Sequence, residues 1–396
     1  MARGQRRGVR AEGYQVSFEV LDLSYAEALQ TLHAACKFGI QPMLETVVDM
    51  LAELGDPDLS FRSLQIAGTN GKTSTSRYAA AILRGQGLRV ALYTSPELVS
   101  LTERMEVDGV PVSEGTFARG VAAAAEAGRR VNIRRRASGE RPYDVTQFDI
   151  LTVAACVAFA QADVDVAVLE CGMGGRWDAT SAVKSIEAVA VTGVGLDHTR
   201  ILGDTLEAIA GEKAAIIRCG QSCVLGVGTA TPDSVEDVFL DRCRSQDVTP
   251  VLLRPECLED AAGEMHAGVP RRHASLLQAS YRITSRPRCL GAPLELTVRT
   301  PRRAYTGLTA LKPSYQAANI ACAVTLTEAF LDGELDGDRL LESVRQCPTP
   351  GRFSLLRPNP PVLVDACHNP QSVDAFLAAL QDIAPDPATR PPLLRG

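Results

Sequence analysis

The chain has 396 residues, 45% of them hydrophobic, enough to bury a sizeable core and, on length, to form two domains. Its formal net charge of −6 gives no footprint for nucleic acid, and it lacks an 18-residue apolar run and a signal-like leader, so we expect a soluble, cytoplasmic protein without nucleic-acid or membrane partners. Eleven cysteines, scattered from Cys36 to Cys367 without a C-x-x-C pair, read as buried free thiols.

In chain order, the basic stretch Met1 to Arg10 opens a leader expected to span residues 1–30 and to be partly disordered. Apolar residues at three- and four-residue spacing then predict a helix over Met43 to Leu54. A strand follows at Leu64 to Ala67, a helix at Ser74 to Arg84 and a strand at Val90 to Tyr93. The arginine-rich stretch Arg129 to Tyr143, with Pro142 near its end, reads as an exposed loop. Next come a helix at Phe148 to Gln161, strands at Val164 to Leu169 and Ala188 to Thr192, and a helix at Thr205 to Ile217. The basic, proline-containing segment Val298 to Arg303 reads as a hinge, followed by a helix at Gln316 to Leu331, a strand at Val362 to Val364 and a helix at Ser372 to Ile383. This alternation predicts an α/β protein whose parallel strands are buried on both faces.

The segment LQIAGTNGKTST, residues 64 to 75, runs a strand into a glycine turn and then a helix whose first turn carries Lys72 and Thr73. Turn amides and the helix N-terminus can cradle phosphate oxygens, lysine adds charge, and the hydroxyl can hold Mg²⁺. The match to G-x-x-x-x-G-K-[ST] is imperfect, because Ile66 stands where a glycine belongs. A plain glycine turn before a helix is the alternative. The other strands deliver Ser95, Glu170, and Asp197 with His198 just past their ends, where ligands bind in open α/β sheets. Read singly, Glu170 also fits a solvated strand-end carboxylate, and His198 a structural cap. The run CGMGGR, residues 171 to 176, lacks G-x-G-x-x-G spacing, which sets a dinucleotide dehydrogenase aside.

Together these residues resemble the Mur ligase superfamily and, within it, folylpolyglutamate synthase/dihydrofolate synthase. The resemblance runs from about Leu32 to the C-terminal end through nine motifs in order: GTNGKTS at 68 to 74, TSPELVSLTER at 94 to 104, TQFD at 146 to 149, LECGMGGRWDAT at 169 to 180, LDHTRILGDT at 196 to 205, GEKAAI at 211 to 216, YQAANIACA at 315 to 323, PGRF at 350 to 353 and VDACHNP at 364 to 370. It implies a P-loop-containing parallel-sheet ATPase domain over residues 31–300. A smaller Rossmann-like α/β domain over 301–396 would follow, expected to be incomplete because the family carries further strand-helix units. The implied activity is ATP-dependent ligation of L-glutamate to a folate or dihydropteroate carboxylate through an acyl phosphate, by a monomer acting on small molecules.

By the same resemblance, Gly68, Thr69, Asn70, Gly71, Lys72, Thr73 and Ser74 bind the triphosphate, with Asn319, Arg352, Asp365 and His368 completing the ATP site. Thr73, Ser95, Glu170 and His198 serve two Mg²⁺ ions, and Lys213 matches the lysine that the family carbamylates; K⁺ is a further candidate ion. Lys72, Lys213, His198 and Glu170 are the catalytic candidates, and Phe148, Asp178 and Ala179 match the region that holds the pterin. Read alone, Lys213 also fits an ordinary helix-surface lysine. Two departures stand out: Glu97 replaces a family histidine, and Trp177 replaces a leucine. The alternatives are a peptidoglycan-precursor ligase with a UDP-muramoyl acceptor and, outside the enzymes, an inactive nucleotide-binding or regulatory protein.

Overall fold

The computed structural model describes residues 13–35, 43–256 and 273–384, with the backbone alone of 258–259 and 265–266. The basic stretch Met1 to Arg10 and the C-terminal end, where the second domain was expected to be incomplete, lie outside the described residues. One large sheet contains β1 (Arg62–Ala67), β2 (Val90–Tyr93), β3 (Met105–Val107), β4 (Val110–Pro111), β5 (Val166–Glu170), β6 (Ile186–Gly193), β7 (Ser222–Gly228) and β8 (Val251–Pro255). A short pair, β9 (Leu258–Glu259) and β10 (Met265–His266), stands apart from it. The sheet is completed by β11 (Leu277–Ser285), β12 (Leu294–Arg299) and β13 (Ala304–Ala310), in the order β13-β12-β11-β8-β7-β6-β1-β5-β2-β3-β4. Strands β11 through β2 in that order pair in parallel, and both ends of the sheet are antiparallel.

The central strands are apolar at consecutive positions because both of their faces are covered. In β5, Ala167 and Leu169 join one core while Val166 and Val168 join the other, and β6 divides in the same way. The first face carries α1 (Tyr25–Ala34), α2 (Glu45–Glu53), α4 (Glu114–Ala137), α5 (Gln147–Gln161), the single turn α6 (Thr199–Leu202), α7 (Leu206–Ala214) and α8 (Asp233–Ser245). The second carries α3 (Lys72–Gly85), α9 (Gln316–Leu331) and α10 (Gly337–Gln346). Helix α5 is buried continuously from Ile150 to Ala160, so it is apolar all round rather than striped. Past the sheet, β14 (Ser354–Pro358), β15 (Pro361–Val364) and α11 (Pro370–Ile383) build a small unit on Phe353, Ala379, Leu380 and Ile383.

Three sequence expectations need correction. Arg129 to Ala137 is not a loop but the last turns of α4: arginine is a good helix former, and three arginines in the last turn suit the negative helix end. The turns are anchored by Arg130 and Arg134 on Glu53, and by Arg135 stacked 3.9 Å from the Tyr143 ring centre. Val298 to Arg303 is not a hinge: it joins β12 to β13 as an antiparallel hairpin, so the boundary expected at residue 300 falls inside the main sheet. Val362 to Val364 is not a parallel strand buried on both faces. It pairs antiparallel with β14, across a turn containing Asn359 and Pro360, and stays half-exposed.

Candidate functional site

The carboxyl ends of β1, β2, β5 and β6 open onto a cleft of ≈390 Å³, closed on the far side by residues from α9 to α11. The turn after β1 is fixed by close packing. A Cβ on Gly68 would sit 1.9 Å from Thr192 Oγ1, and Gly71 has φ +86° with Asn319 Oδ1 2.4 Å from where its Cβ would be. Only glycine suits either place. The Thr192 hydroxyl donates to Asn70 O at 2.6 Å, and the Thr69 amide donates to Gly193 O at 2.9 Å, tying the turn to the end of β6. Helix α3 then starts at Lys72, and Lys72, Thr73 and Ser74 of its first turn line the cleft.

Lys72 Nζ folds back to donate to Gly68 O (3.0 Å) and Thr69 O (3.3 Å), so its charge sits in the turn. The Thr73 hydroxyl donates to Glu170 Oε1 at 2.8 Å and accepts from Arg352 Nη2 at 3.0 Å, across 279 residues of sequence. Glu170 is 1% exposed, and its Oε2 has no hydrogen-bond partner among the described residues. Burial pushes its carboxyl above the usual range, opposed by Lys72, Thr73, Arg352 and the Ser95 amide. An orphaned carboxylate oxygen beside a hydroxyl and a phosphate-type turn fits a divalent cation that takes its remaining ligands from phosphate and water. No cluster of three His, Cys, Asp or Glu groups suited to a metal exists among the described residues.

Lys213 lines the same cleft at 3% exposure, and burial, aided by nearby Lys72, pulls its amine down to about 8. It is therefore not the surface lysine that its sequence position alone allowed. His198 has φ +50° and a half-exposed ring whose Nε2 lies 3.9 Å from Asp197 Oδ1. From the small unit, Asp365 accepts from the Phe353 amide (2.7 Å), the Cys367 amide (2.8 Å) and the Tyr315 hydroxyl (3.3 Å), while His368 stays mostly exposed. Asn319 donates to Gln316 Oε1 at 2.9 Å, and Gln316 donates in turn to Ser74 Oγ at 3.2 Å.

Thus the cleft brings together Gly68 through Ser74 with Ser95, Glu170, His198, Lys213, Asn319, Arg352, Asp365 and His368. Phe148, Asp178 and Ala179 are not on its wall. Phe148 is half-buried behind Gly172, where a Cβ would meet its ring at 2.7 Å, and its ring centre lies 6.1 Å from that of Tyr93. The Asp178 carboxylate is committed to its own turn, accepting from the Met173 amide at 2.9 Å and from Thr180. Sequence reasoning missed Thr192, Tyr315, Gln316, Asn369 and Gln371 as contributors. Tyr315, Gln316 and Asn369 sat in quoted motifs and Thr192 ended a predicted strand, whereas nothing local marked Gln371.

Residues 66–227 match the Mur ligase middle domain. The dihydrofolate synthase/folylpolyglutamate synthase of Bacillus subtilis is 30% identical over 367 residues, covering 90% of this chain and 76% of that protein. A probable bifunctional folylpolyglutamate synthase/dihydropteroate synthase of Haloferax volcanii is 33% identical over 360 residues, but these cover 91% of this chain and only 39% of that longer protein. The structure of Mycobacterium tuberculosis folylpolyglutamate synthase complexed with ADP superposes with a TM-score of 0.77 at 30% identity, covering 90% of this chain and 74% of that one.

Proposed function

The chain belongs to the folylpolyglutamate synthase/dihydrofolate synthase family of the Mur ligase superfamily, and on that footing we propose that it joins L-glutamate to a folate or dihydropteroate carboxylate, driven by ATP. The observation that carries this reading is the Thr73 hydroxyl set between Glu170 and Arg352, beside Lys72 in a glycine turn.

A carboxylate and an amine do not condense in water, so the carboxylate is first phosphorylated by the γ-phosphoryl group of ATP. The loop amides and Lys72 hold the phosphates in line, and Arg352 adds positive charge from the small unit. Thr73 would hold one Mg²⁺, Ser95 and His198 would hold a second, and Glu170 would be shared between them; when bound, Mg²⁺ neutralises charge developing on the transferred group. The glutamate amine then attacks the acyl phosphate, and the tetrahedral intermediate collapses to amide and phosphate. Burial in the cleft keeps water from the acyl phosphate. An amine held to about 8 leaves about a tenth of Lys213 neutral at pH 7, the form that adds CO₂, which supports its carbamylation. The resulting anion would orient the cation's water ligands. The proposal extends to a monomeric, cytoplasmic enzyme with small-molecule partners only.

The test is ADP release with MgATP and glutamate, offered dihydropteroate, tetrahydrofolate or a UDP-muramoyl acceptor in parallel. Release with either pterin acceptor alone supports the proposal. Release with only the muramoyl acceptor makes the chain a peptidoglycan-precursor ligase. Nucleotide binding without release in any arm makes it a nucleotide-binding protein that does not ligate.

A further inference from the structure

The phosphate turn and the N-terminus of α11 are joined by a pair of side-chain amides that the chemistry above does not use. Asn369 Nδ2 donates to Asn70 Oδ1 at 3.0 Å, and Asn70 Nδ2 donates back to Asn369 Oδ1 at 3.3 Å. Asn70 Nδ2 also donates to Gln371 Oε1 at 2.8 Å. Asn369 has further partners: its Nδ2 reaches Asp197 Oδ2 at 3.2 Å, and its Oδ1 accepts from the Ser372 amide at 2.9 Å as the N-cap of α11. With 6% exposure, its amide is satisfied on every side. One residue of the small unit therefore touches the phosphate turn, the Asp197–His198 loop and the start of its own helix. Neighbouring His368 has its Nε2 3.9 Å from the same Asp197 carboxylate.

We propose that Asn369 is a positioning residue, acting through Asn70, which clasps the small unit onto the phosphate turn. The clasp sets how long bound nucleotide stays enclosed and where Arg352 and His368 stand during phosphoryl transfer. Reciprocal amide bonds require both side chains in one register, so any displacement of the turn breaks two bonds at once. The pair thus reports the state of the turn to the unit carrying Arg352. The effect on transfer rests on the ligase reading above, whereas the effect on nucleotide residence does not.

The experiment uses the full chain and the fluorescent nucleotide N-methylanthraniloyl-ADP, with dissociation followed by stopped flow. Asn369→Ser keeps a hydroxyl able to cap α11 but cannot make the reciprocal pair; Asn369→Ala loses both cap and pair. We expect both variants to speed dissociation by about tenfold, the size of a typical contact coupling. Only Asn369→Ala should also lower the melting temperature. In an Asn70→Ala background, Asn369→Ser should have no further effect. Unchanged dissociation in Asn369→Ser overturns the proposal. So does a dissociation effect confined to Asn369→Ala, which would assign it to the cap, and so does an undiminished effect in the Asn70→Ala background, which would show that the two residues act independently. A wild type that binds nucleotide but ligates no acceptor refutes the ligase reading and leaves the dissociation test intact.

Discussion

At Lys213 a charge-bearing side chain sits almost fully out of water, and its amine is pulled down to about 8 against 10.5 for a free lysine. Below pH 8 both folded and unfolded chains hold the proton, so the full burial cost is present there. Between about 8 and 10.5 the unfolded chain binds more protons, and stability rises with pH. Lys213→Met should therefore stabilise the protein at pH 7, by at most about 3 kcal/mol, with the gain fading between about pH 8 and 10.5. Urea titrations at pH 7 and 10.5 check this, and an equal gain at both would show that Lys213 carries no such cost. The same variant should lose ligase activity, and Lys213→Ala activity should be partly restored by high formate if a small anion replaces the carbamate. Glu170 makes the matching case for a carboxylate: its orphaned Oε2 is costly to bury without a cation. Glu170→Gln is expected to stabilise the nucleotide-free protein while raising the Mg²⁺ needed for half-maximal ADP release by about tenfold or more. An unchanged Mg²⁺ titration would leave Glu170 as a strand terminus only.

Helices show where local signals suffice and where they fail. Helix α5 opens with a capping box in which Thr146 accepts from the Asp149 amide and Asp149 accepts from the Thr146 amide. Its extent was legible because apolar residues fill almost every position from Ile150 to Ala160. Thr146→Ala should cost about 1 kcal/mol, seen as a lower urea midpoint with an unchanged slope. A shift of slope as well would mean that the helix start had reorganised rather than merely lost its cap. The arginine run closing α4 was read as a loop because its partners are distant in sequence: Glu53 lies in α2, and Tyr143 lies beyond the turn. Likewise, the hairpin β12–β13 was read as a hinge because proline and charge mark a turn without saying that its flanking strands pair.

In the whole molecule, nucleotide should couple the two units because Arg352 reaches Thr73 from outside the sheet. ADP at about 100 times its Kd should stabilise the wild type by about 2.7 kcal/mol, read as a rise in melting temperature. At the same ADP concentration, Lys72→Ala and Arg352→Ala should show little of that rise while melting like the wild type without ADP. A full rise in Lys72→Ala would remove the turn from the nucleotide site. The sequence by itself determined the glycine turn before α3, the strand-end positions of Ser95, Glu170 and His198, and the α/β alternation, since each depends on neighbours within a few residues or on periodicity. Tertiary structure alone decided that Arg352 meets Thr73, that Asn369 meets Asn70 and that Lys213 is buried rather than exposed. These are contacts between segments brought together only when helices cover both faces of one sheet. Local spacing carries no record of which distant side chain will fill the remaining place at a strand end.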